Sequence, residues 1–215
     1  MADLRAASDR SLLVTFAEEP SAAIAGLMSN LEGLPGILNL HPAYASVLVE
    51  FDPRLHSHAE IESLVRRRTD DRFLSSVSVS PPRLVEIPVH YGGLYGPDLA
   101  DVARHAGLSP ERVVEIHSSA AYLVHFLGFS PGFPYLGGLP PALATPRLEV
   151  PRKLVPAGSV AIGGRHAGIY PMDSPGGWRI IGRTPLSLFD AAASPPALLA
   201  MGDRVRFVPI PEARP

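Results

Sequence analysis

Residues 128–138 read GFSPGFPYLGG, and this stretch decides how the second half of the chain is interpreted. Aromatic rings at Phe129, Phe133 and Tyr135 are interleaved with glycine and proline. Glycine reaches backbone conformations that other residues resist, and proline fixes φ. The stretch therefore predicts a shaped, rigid and apolar loop, of the kind that forms a binding site or an interface.

A second segment of the same character covers residues 155–185. It contains the runs VPAGSVAIGG, GIYP, SPGGW and IGRTP. From Ala120 onward the apolar runs are short and are broken by Gly and Pro at frequent intervals. This pattern indicates a β-barrel or β-sandwich with elaborate loops.

The first half of the chain has a different pattern. Strands are predicted at residues 4–7, 12–16, 37–41 and 47–51. Helices are predicted from Pro20 and Ser21 to Leu31 and over residues 59–67. This order of elements is typical of an α+β sandwich.

A domain boundary is predicted near residue 82. Residues 75–80 alternate Ser and Val ahead of Pro81 and Pro82, which indicates an edge strand leading to a boundary. We therefore predict an N-terminal α/β sandwich domain over residues 1–82 and a second domain over residues 83–215, which is a β-barrel or a β-sandwich.

This second domain should begin with a strand and two helices. The strand is predicted at residues 84–90, and the helices at 98–107 and 110–118. Asp98 and Ser109 are interpreted as the N-caps of these helices, and Pro110 suits a first helical position.

The composition restricts the possible functions. The chain has 215 residues and a formal net charge of -2, which argues against nucleic-acid or anionic membrane partners. It has no cysteine, which excludes disulfides, thiolate nucleophiles and thiolate metal sites. The apolar run 12–16 is too short for a signal peptide, and no stretch reaches the roughly 20 apolar residues of a membrane span. These features predict a soluble protein of the cytoplasm.

Two motif matches do not support an independent catalytic site. Residues 128–132 fit G-x-S-x-G, but the residue after Ser130 is Pro131, which has no N–H to donate to an oxyanion hole. Ser130 is therefore interpreted as a loop residue. The glycines of residues 92–96 are not followed by the Lys and Ser or Thr of a phosphate loop.

The histidines give one weak catalytic candidate, His125, because it adjoins the glycine-rich loop. Strand alternation places it on the face opposite Tyr122 and Phe126, where a role in the core or at the rim is the alternative. His56 and His58 lie at a predicted helix start, where capping or solvent exposure is expected. No further ligands accompany them, so no metal site is predicted.

The glycine- and proline-rich runs resemble the family that includes the B subunit of 5-oxoprolinase, allophanate hydrolase subunit 1 and KipI. The segment 91–99 shares this resemblance, which extends more weakly from about residue 4 to residue 210. It implies a cyclophilin-like β-barrel in the second half of the chain. At Arg165, His166 and Ala167 the chain departs from the Gln-Thr that precedes Gly-Ile-Tyr-Pro in many relatives, which leaves the substrate preference open.

The resemblance also implies an activity. It points to the B component of an ATP-dependent 5-oxoprolinase, which hydrolyses the cyclic amide 5-oxo-L-proline to L-glutamate together with A-like and C-like partner proteins. ATP and magnesium would then act at the level of the complex, since this chain has no evident nucleotide site. Two alternatives stay open: a KipI-like inhibitor of a histidine kinase, and a component of urea or allophanate metabolism.

The predicted substrate cleft lies on the barrel loops and is shared with the C-like protein. Trp178 either lines this cleft or fills the barrel, and the planar fork of an arginine suits a carboxylate. The predicted substrate-binding residues are Gly132, Phe133, Tyr135, Arg152, Gly176, Gly177, Trp178 and Arg183.

Overall fold

A computed structural model describes residues 2–17, 21–69 and 83–211 of the chain. The chain divides into two compact units, one within residues 1–82 and the other within residues 83–215. The predicted edge strand at 75–80, the prolines Pro81 and Pro82, and Pro20 before the first helix lie outside the described residues.

In its described residues, the first unit contains an antiparallel sheet and two helices. The strands are β1 (Asp3–Ser8), β2 (Ser11–Thr15), β3 (Ile37–Pro42) and β4 (Ser46–Phe51), and they pair in the order β1-β2-β4-β3. The helices are α1 (Ser21–Leu31) and α2 (His58–Arg68). Their apolar stripes form the core, because Ile24, Leu27, Leu31, Ile61 and Val65 are each at most 1% exposed. The α+β pattern predicted for this half is confirmed.

Helix α2 begins with a reciprocal capping arrangement. The Glu60 backbone N–H donates to Ser57 Oγ, and the Ser57 backbone N–H donates to Glu60 Oε2 at 2.7 Å. The flanking histidines are used locally, since the His56 ring contacts the Pro35 carbonyl at 2.9 Å and the His58 ring contacts the Ser8 carbonyl at 2.8 Å.

The second unit is built around a closed barrel. Its strands are β5 (Leu84–Tyr91), β6 (Tyr122–Leu127), β7 (Pro134–Gly137), β9 (Ser159–Gly163), β10 (His166–Ile169), β12 (Arg179–Arg183) and β13 (Arg204–Pro209). They close in the order β10-β7-β6-β13-β5-β12-β9, and β13 is parallel to β5. Strands β8 (Arg152–Val155) and β11 (Ser174–Gly176) form a separate antiparallel ribbon. The barrel implied by the family resemblance is confirmed.

Two helices, α3 (Leu99–Ala106) and α4 (Pro110–Ser119), pack against strands β12 and β13 respectively. The predicted cap of α4 is confirmed, because Ser109 Oγ accepts a hydrogen bond from the Arg112 backbone N–H at 3.2 Å. Asp98 occupies the N-cap position of α3, but its carboxylate makes no capping hydrogen bond. The carboxylate is instead part of the functional region described below.

A histidine lies inside the barrel core. His117 is fully buried, its Nδ1 is 2.8 Å from the Tyr91 hydroxyl, and its ring centroid is 4.5 Å from that of Phe207. The Tyr122 hydroxyl donates to the His117 carbonyl at 3.1 Å. Burial lowers the pKa of His117 from 6.5 to about 3, because the imidazolium would lose its hydration. His117 is therefore neutral in the folded protein at neutral pH.

We expect this histidine to make the barrel unit sensitive to acid. Between pH 6.5 and pH 3 the unfolded chain binds a proton that the folded chain does not, so the stability present above pH 6.5 is lost as the pH falls. Each pH unit in this window lowers the free energy of unfolding by about 1.4 kcal/mol, which gives about 2 kcal/mol between pH 7 and pH 5. Chemical denaturation of the wild type and of His117→Gln at several pH values measures this contribution. The variant should lack it, and identical pH slopes in both proteins would contradict the assignment.

Candidate functional site

A cavity of about 100 Å³ opens between the two glycine- and proline-rich segments of the barrel unit. We call it the aromatic cavity. The predicted residues that line it are Phe133, Tyr135, Gly176, Gly177 and Trp178. Phe129, Arg147 and Tyr170 complete the lining. The structure thus brings together five of the residues predicted to bind substrate, and their role in binding stays a prediction.

Phe133 is at the centre of the aromatic cluster. Its ring centroid lies 5.0 Å from that of Tyr135, 5.2 Å from that of Tyr170 and 5.6 Å from that of Trp178. The last two pairs meet edge to face, which is a favourable arrangement of aromatic quadrupoles. Phe133, Tyr170 and Trp178 are buried. These rings therefore serve both as core and as the cavity wall.

Phe129 forms the rim of the cavity. Its side chain is 61% exposed, and its backbone has a φ of 66°, which is uncommon for a bulky residue. The loop closes on itself, because the Gly128 N–H donates to the Phe133 carbonyl at 3.1 Å and the Phe133 N–H donates to the Ser130 carbonyl at 3.0 Å. The loop therefore presents an apolar ring to solvent from a well-defined backbone.

Glycines provide the space that the rings occupy. A Cβ atom on Gly163 would lie 2.4 Å from the Trp178 ring, and one on Gly176 would lie 2.3 Å from the Tyr170 hydroxyl. Neither distance is compatible with a real side chain. The glycine content of these segments is thus a packing requirement of the aromatic cavity.

Two adjacent glycines provide a matched test of this requirement. Gly176→Ala should displace Tyr170 and lower the free energy of unfolding by about 1 to 3 kcal/mol, the usual cost of overpacking. Gly177→Ala should be nearly neutral, because its Cβ would meet no atom closer than 3.6 Å. Denaturation followed by the fluorescence of Trp178, the single tryptophan of the chain, measures both effects. Equal stabilities for the two variants would contradict the packing account.

Arg147 brings positive charge to the cavity. Its guanidinium carbon is 5.6 Å from the centroid of the Trp178 ring, within the range of a cation–π interaction. Among the described residues, no carboxylate lies within ion-pair distance of it. Burial raises the pKa of both Tyr135 and Tyr170, while the charge of Arg147 acts in the opposite direction. The cavity therefore combines neutral aromatic walls with one cation at its edge.

Sequence reasoning did not identify Arg147, because it lies outside the glycine- and proline-rich runs. Its segment is held over the cavity by backbone hydrogen bonds. The Gly164 N–H donates to the Thr145 carbonyl at 2.8 Å, and the Leu148 N–H donates to the Gly177 carbonyl at 2.7 Å. These are pairings between residues distant in the chain, which no local pattern signals.

Arg152 contributes to the site through an ion pair. Its guanidinium donates two hydrogen bonds to the Asp98 carboxylate, at 2.7 and 2.9 Å. The carboxylate also accepts a hydrogen bond from the Ile180 N–H at 2.7 Å. Asp98 therefore joins strand β8 to strand β12, and β8 in turn pairs with Gly176 of β11, just before Trp178. Arg152 thus supports the cavity wall and does not line the cavity.

The other predicted residues lie elsewhere in the barrel unit. Gly132 packs on a neighbouring loop, where a Cβ atom would lie 2.8 Å from Phe189 Cβ. Arg183 lines a different cavity, described below. His125 is half-buried, and its ring occupies the space above Gly137, where a Cβ atom would lie 1.8 Å from its Nε2. It does not line the aromatic cavity, and a catalytic role for it stays a prediction.

Two further observations concern the described residues as a whole. Within residues 2–17, 21–69 and 83–211, no cluster of three or more His, Asp or Glu side chains is placed to hold a metal ion. In the same ranges, no helix combines the length and the apolar character needed to span a membrane.

Comparison with known proteins gives the family to which the chain belongs. Residues 2–199 match the family described as carboxyltransferase domain, subdomain C and D, and the chain belongs to this family. Among named relatives, the 5-oxoprolinase B subunit of Escherichia coli O157:H7 is 51% identical over 184 residues, which are 85% of this chain and 83% of that protein. The protein of the same name from Bacillus subtilis (strain 168) is 41% identical over 219 residues, which are 95% of this chain and 91% of that one. The resemblance inferred from the sequence is confirmed.

The fold has a solved counterpart. The crystal structure of TTHA0988 superposes with a TM-score of 0.81 at 38% identity and covers 96% of this chain. The match covers 41% of the TTHA0988 chain, so this protein spans less than half of that longer one.

Proposed function

We propose that the protein is the B component of an ATP-dependent 5-oxoprolinase complex that hydrolyses 5-oxo-L-proline to L-glutamate. The observation that carries this proposal is the identity of 51% and 41% to two proteins named as B subunits of 5-oxoprolinase, over most of their length. A coverage of 83% and 91% of those proteins argues against a match limited to one shared motif.

The aromatic cavity suits the substrate chemically. 5-Oxoproline is a small five-membered lactam with one carboxylate. We propose that its ring packs against Trp178 and Phe133, while Arg147 binds the carboxylate, since a guanidinium pairs well with such a group. The enzyme complex would need these contacts to hold the lactam in a fixed orientation during the reaction.

The chemistry explains the need for ATP. A lactam is a poor electrophile, so we propose that the γ-phosphoryl group of ATP is transferred to the lactam oxygen, releasing ADP. Water then adds to the activated carbon, the ring C–N bond breaks, and the nitrogen takes a proton, which leaves an amine and an acyl phosphate. A second water hydrolyses the acyl phosphate, which releases inorganic phosphate and L-glutamate. Such a step calls for magnesium and for groups that stabilise developing charge. In this proposal the A-like and C-like proteins supply them, and this chain binds and orients the lactam.

The surface around the cavity supports a partner on this side of the barrel unit. Phe129 is exposed at the rim of the cavity. Val150, which precedes strand β8, and Leu154, which belongs to β8, are also exposed. Covering these side chains would remove apolar surface from water, which favours association with a protein partner. We propose that the C-like protein covers this surface and closes the aromatic cavity.

Reconstitution tests the function. The purified chain should be mixed with A-like and C-like proteins from the same source, and glutamate and phosphate release measured with and without ATP. We expect glutamate and phosphate to be released only when 5-oxoproline, ATP and this chain are all present. Full activity without this chain would refute the proposal, and tight binding of the chain to a histidine kinase instead would favour the KipI-like alternative.

A further inference from the structure

A second and larger cavity lies in the barrel unit. Its volume is about 400 Å³, and it shares no lining residue with the aromatic cavity. We call it the Arg183 cavity. Its polar side chains are those of His90, Tyr95, Arg183, Thr184 and Ser187, and the rest of the lining is small or apolar. No aspartate or glutamate is among the residues that line it.

Arg183 is held in place but its charge is not neutralised. Its Nε donates a hydrogen bond to the Ala157 carbonyl at 2.8 Å. In the described part of the chain, no carboxylate lies within ion-pair distance of Arg183 and no acceptor is bonded to its two terminal nitrogens. A guanidinium anchored through Nε keeps both terminal nitrogens available for a two-point contact with an oxyanion.

The backbone around Arg183 is fixed. Arg183 pairs with His90 of β5 and with Ser159 of β9, so it has a neighbouring strand on each side. Gly158 has a φ of 80°, and a Cβ atom there would lie 2.3 Å from the Thr184 carbonyl. The turn that accepts the Arg183 hydrogen bond therefore lies directly against the end of β12. This wall of the cavity is formed before any ligand binds.

Other polar groups of the cavity retain bonding capacity. The His90 ring stacks on Tyr95 with centroids 5.0 Å apart, and its buried Nδ1 has no hydrogen-bond partner among the described residues. Thr184 Oγ1 accepts a hydrogen bond from the Leu186 N–H at 3.2 Å, which leaves its own hydrogen available. These groups are suited to orient a ligand whose charge is held by Arg183.

We propose that the Arg183 cavity binds a small organic oxyanion, a carboxylate or a phosphate ester, with Arg183 as the anion-binding residue. The volume lies within the range of about 300 to 1,000 Å³ that is usual for small-molecule sites. The charge and the planar fork of the Arg183 guanidinium favour an anion. The apolar part of the lining favours an anion that carries an organic group. This site goes beyond the proposed function, which assigns 5-oxoproline to the aromatic cavity.

Titration calorimetry on the full chain without partners tests the proposal. The probes are 5-oxo-L-proline, L-glutamate, ATP and inorganic phosphate. The first two carry carboxylates and the last two carry phosphate groups, so the experiment shows which kind of anion binds. At least one organic probe should bind, and Arg183→Met should weaken its binding about tenfold or more, because the variant loses the charge-assisted hydrogen bonds to the oxyanion. Arg206→Met removes an exposed arginine that is paired with Glu86, and it should bind the probe as the wild type does.

A second variant protects the test against misfolding of Arg183→Met. Ser187 is exposed, so Ser187→Trp should fold and occupy the cavity while Arg183 stays in place. It should cause a similar loss of binding. The proposal is overturned if none of the probes binds at millimolar concentration. It is equally overturned if binding survives both variants, or if Arg147→Met abolishes binding while Arg183→Met does not.

Discussion

Asp98→Ala is expected to lower the free energy of unfolding of the barrel unit by about 3 to 5 kcal/mol, the usual cost of breaking a buried ion pair. The side chain of Asp98 is 5% exposed and that of Arg152 is 31% exposed. Removing the carboxylate leaves the guanidinium without its partner and the Ile180 N–H without its acceptor. Because Ile180 of β12 follows Trp178 in the chain, and Arg152 pairs with Gly176 just before Trp178, the aromatic cavity should lose its shape as well. Chemical denaturation with tryptophan fluorescence measures both effects.

Asp101 provides the matched control for this experiment. It also binds arginines, Arg104 and Arg179, but its side chain is 40% exposed. Exposed ion pairs contribute about 1 kcal/mol or less, so Asp101→Ala should stay close to the wild type. Comparable losses for Asp98→Ala and Asp101→Ala would show that burial of the Asp98 ion pair is not what stabilises this region.

Arg147→Met is expected to impair the reconstituted complex without unfolding it. If Arg147 binds the substrate carboxylate, its loss removes a charged hydrogen bond, which contributes about 1.5 to 3 kcal/mol and corresponds to about 10- to 150-fold in kcat/KM. The effect should appear mainly in KM, because the carboxylate does not change during ring opening. Arg147 is exposed, so the free energy of unfolding should change little. Steady-state kinetics with 5-oxo-L-proline checks this expectation.

The control for Arg147→Met is Arg112→Met. Arg112 is an exposed arginine on α4 that pairs with Glu115 at 2.7 Å. Its replacement removes the same charge from the chain at a place unconnected with either cavity. If Arg147→Met leaves the kinetics unchanged, or if both variants lose the same factor in kcat/KM, Arg147 does not bind the substrate.

Much of the fold could be predicted from sequence because its signals are local. The apolar stripe of α2 and the Ser109 cap with Pro110 are read within a single element, and the structure contains both. The closure of the barrel has no such local signal in the sequence. Its parallel β5–β13 pair joins residues more than a hundred positions apart, which no short pattern reveals. The barrel was expected because of the family resemblance.

The candidate site was predicted less completely, for a similar reason. Phe133, Tyr135 and Trp178 stand out because aromatic rings beside glycines are unusual, and they do meet in one cavity. Asp98 was interpreted as a helix cap, since its position before α3 is visible in sequence while its contact with Arg152 is not. Arg183 lies in the same kind of motif as Trp178, yet the course of β12 places it in the other cavity.

The most direct test of the account is a structure of the reconstituted complex with 5-oxo-L-proline bound. The account predicts the lactam ring against Trp178 and Phe133 of this chain, its carboxylate at Arg147, and the C-like protein over Phe129. A lactam bound entirely by the other proteins of the complex, with the aromatic cavity of this chain empty and open to solvent, would contradict it.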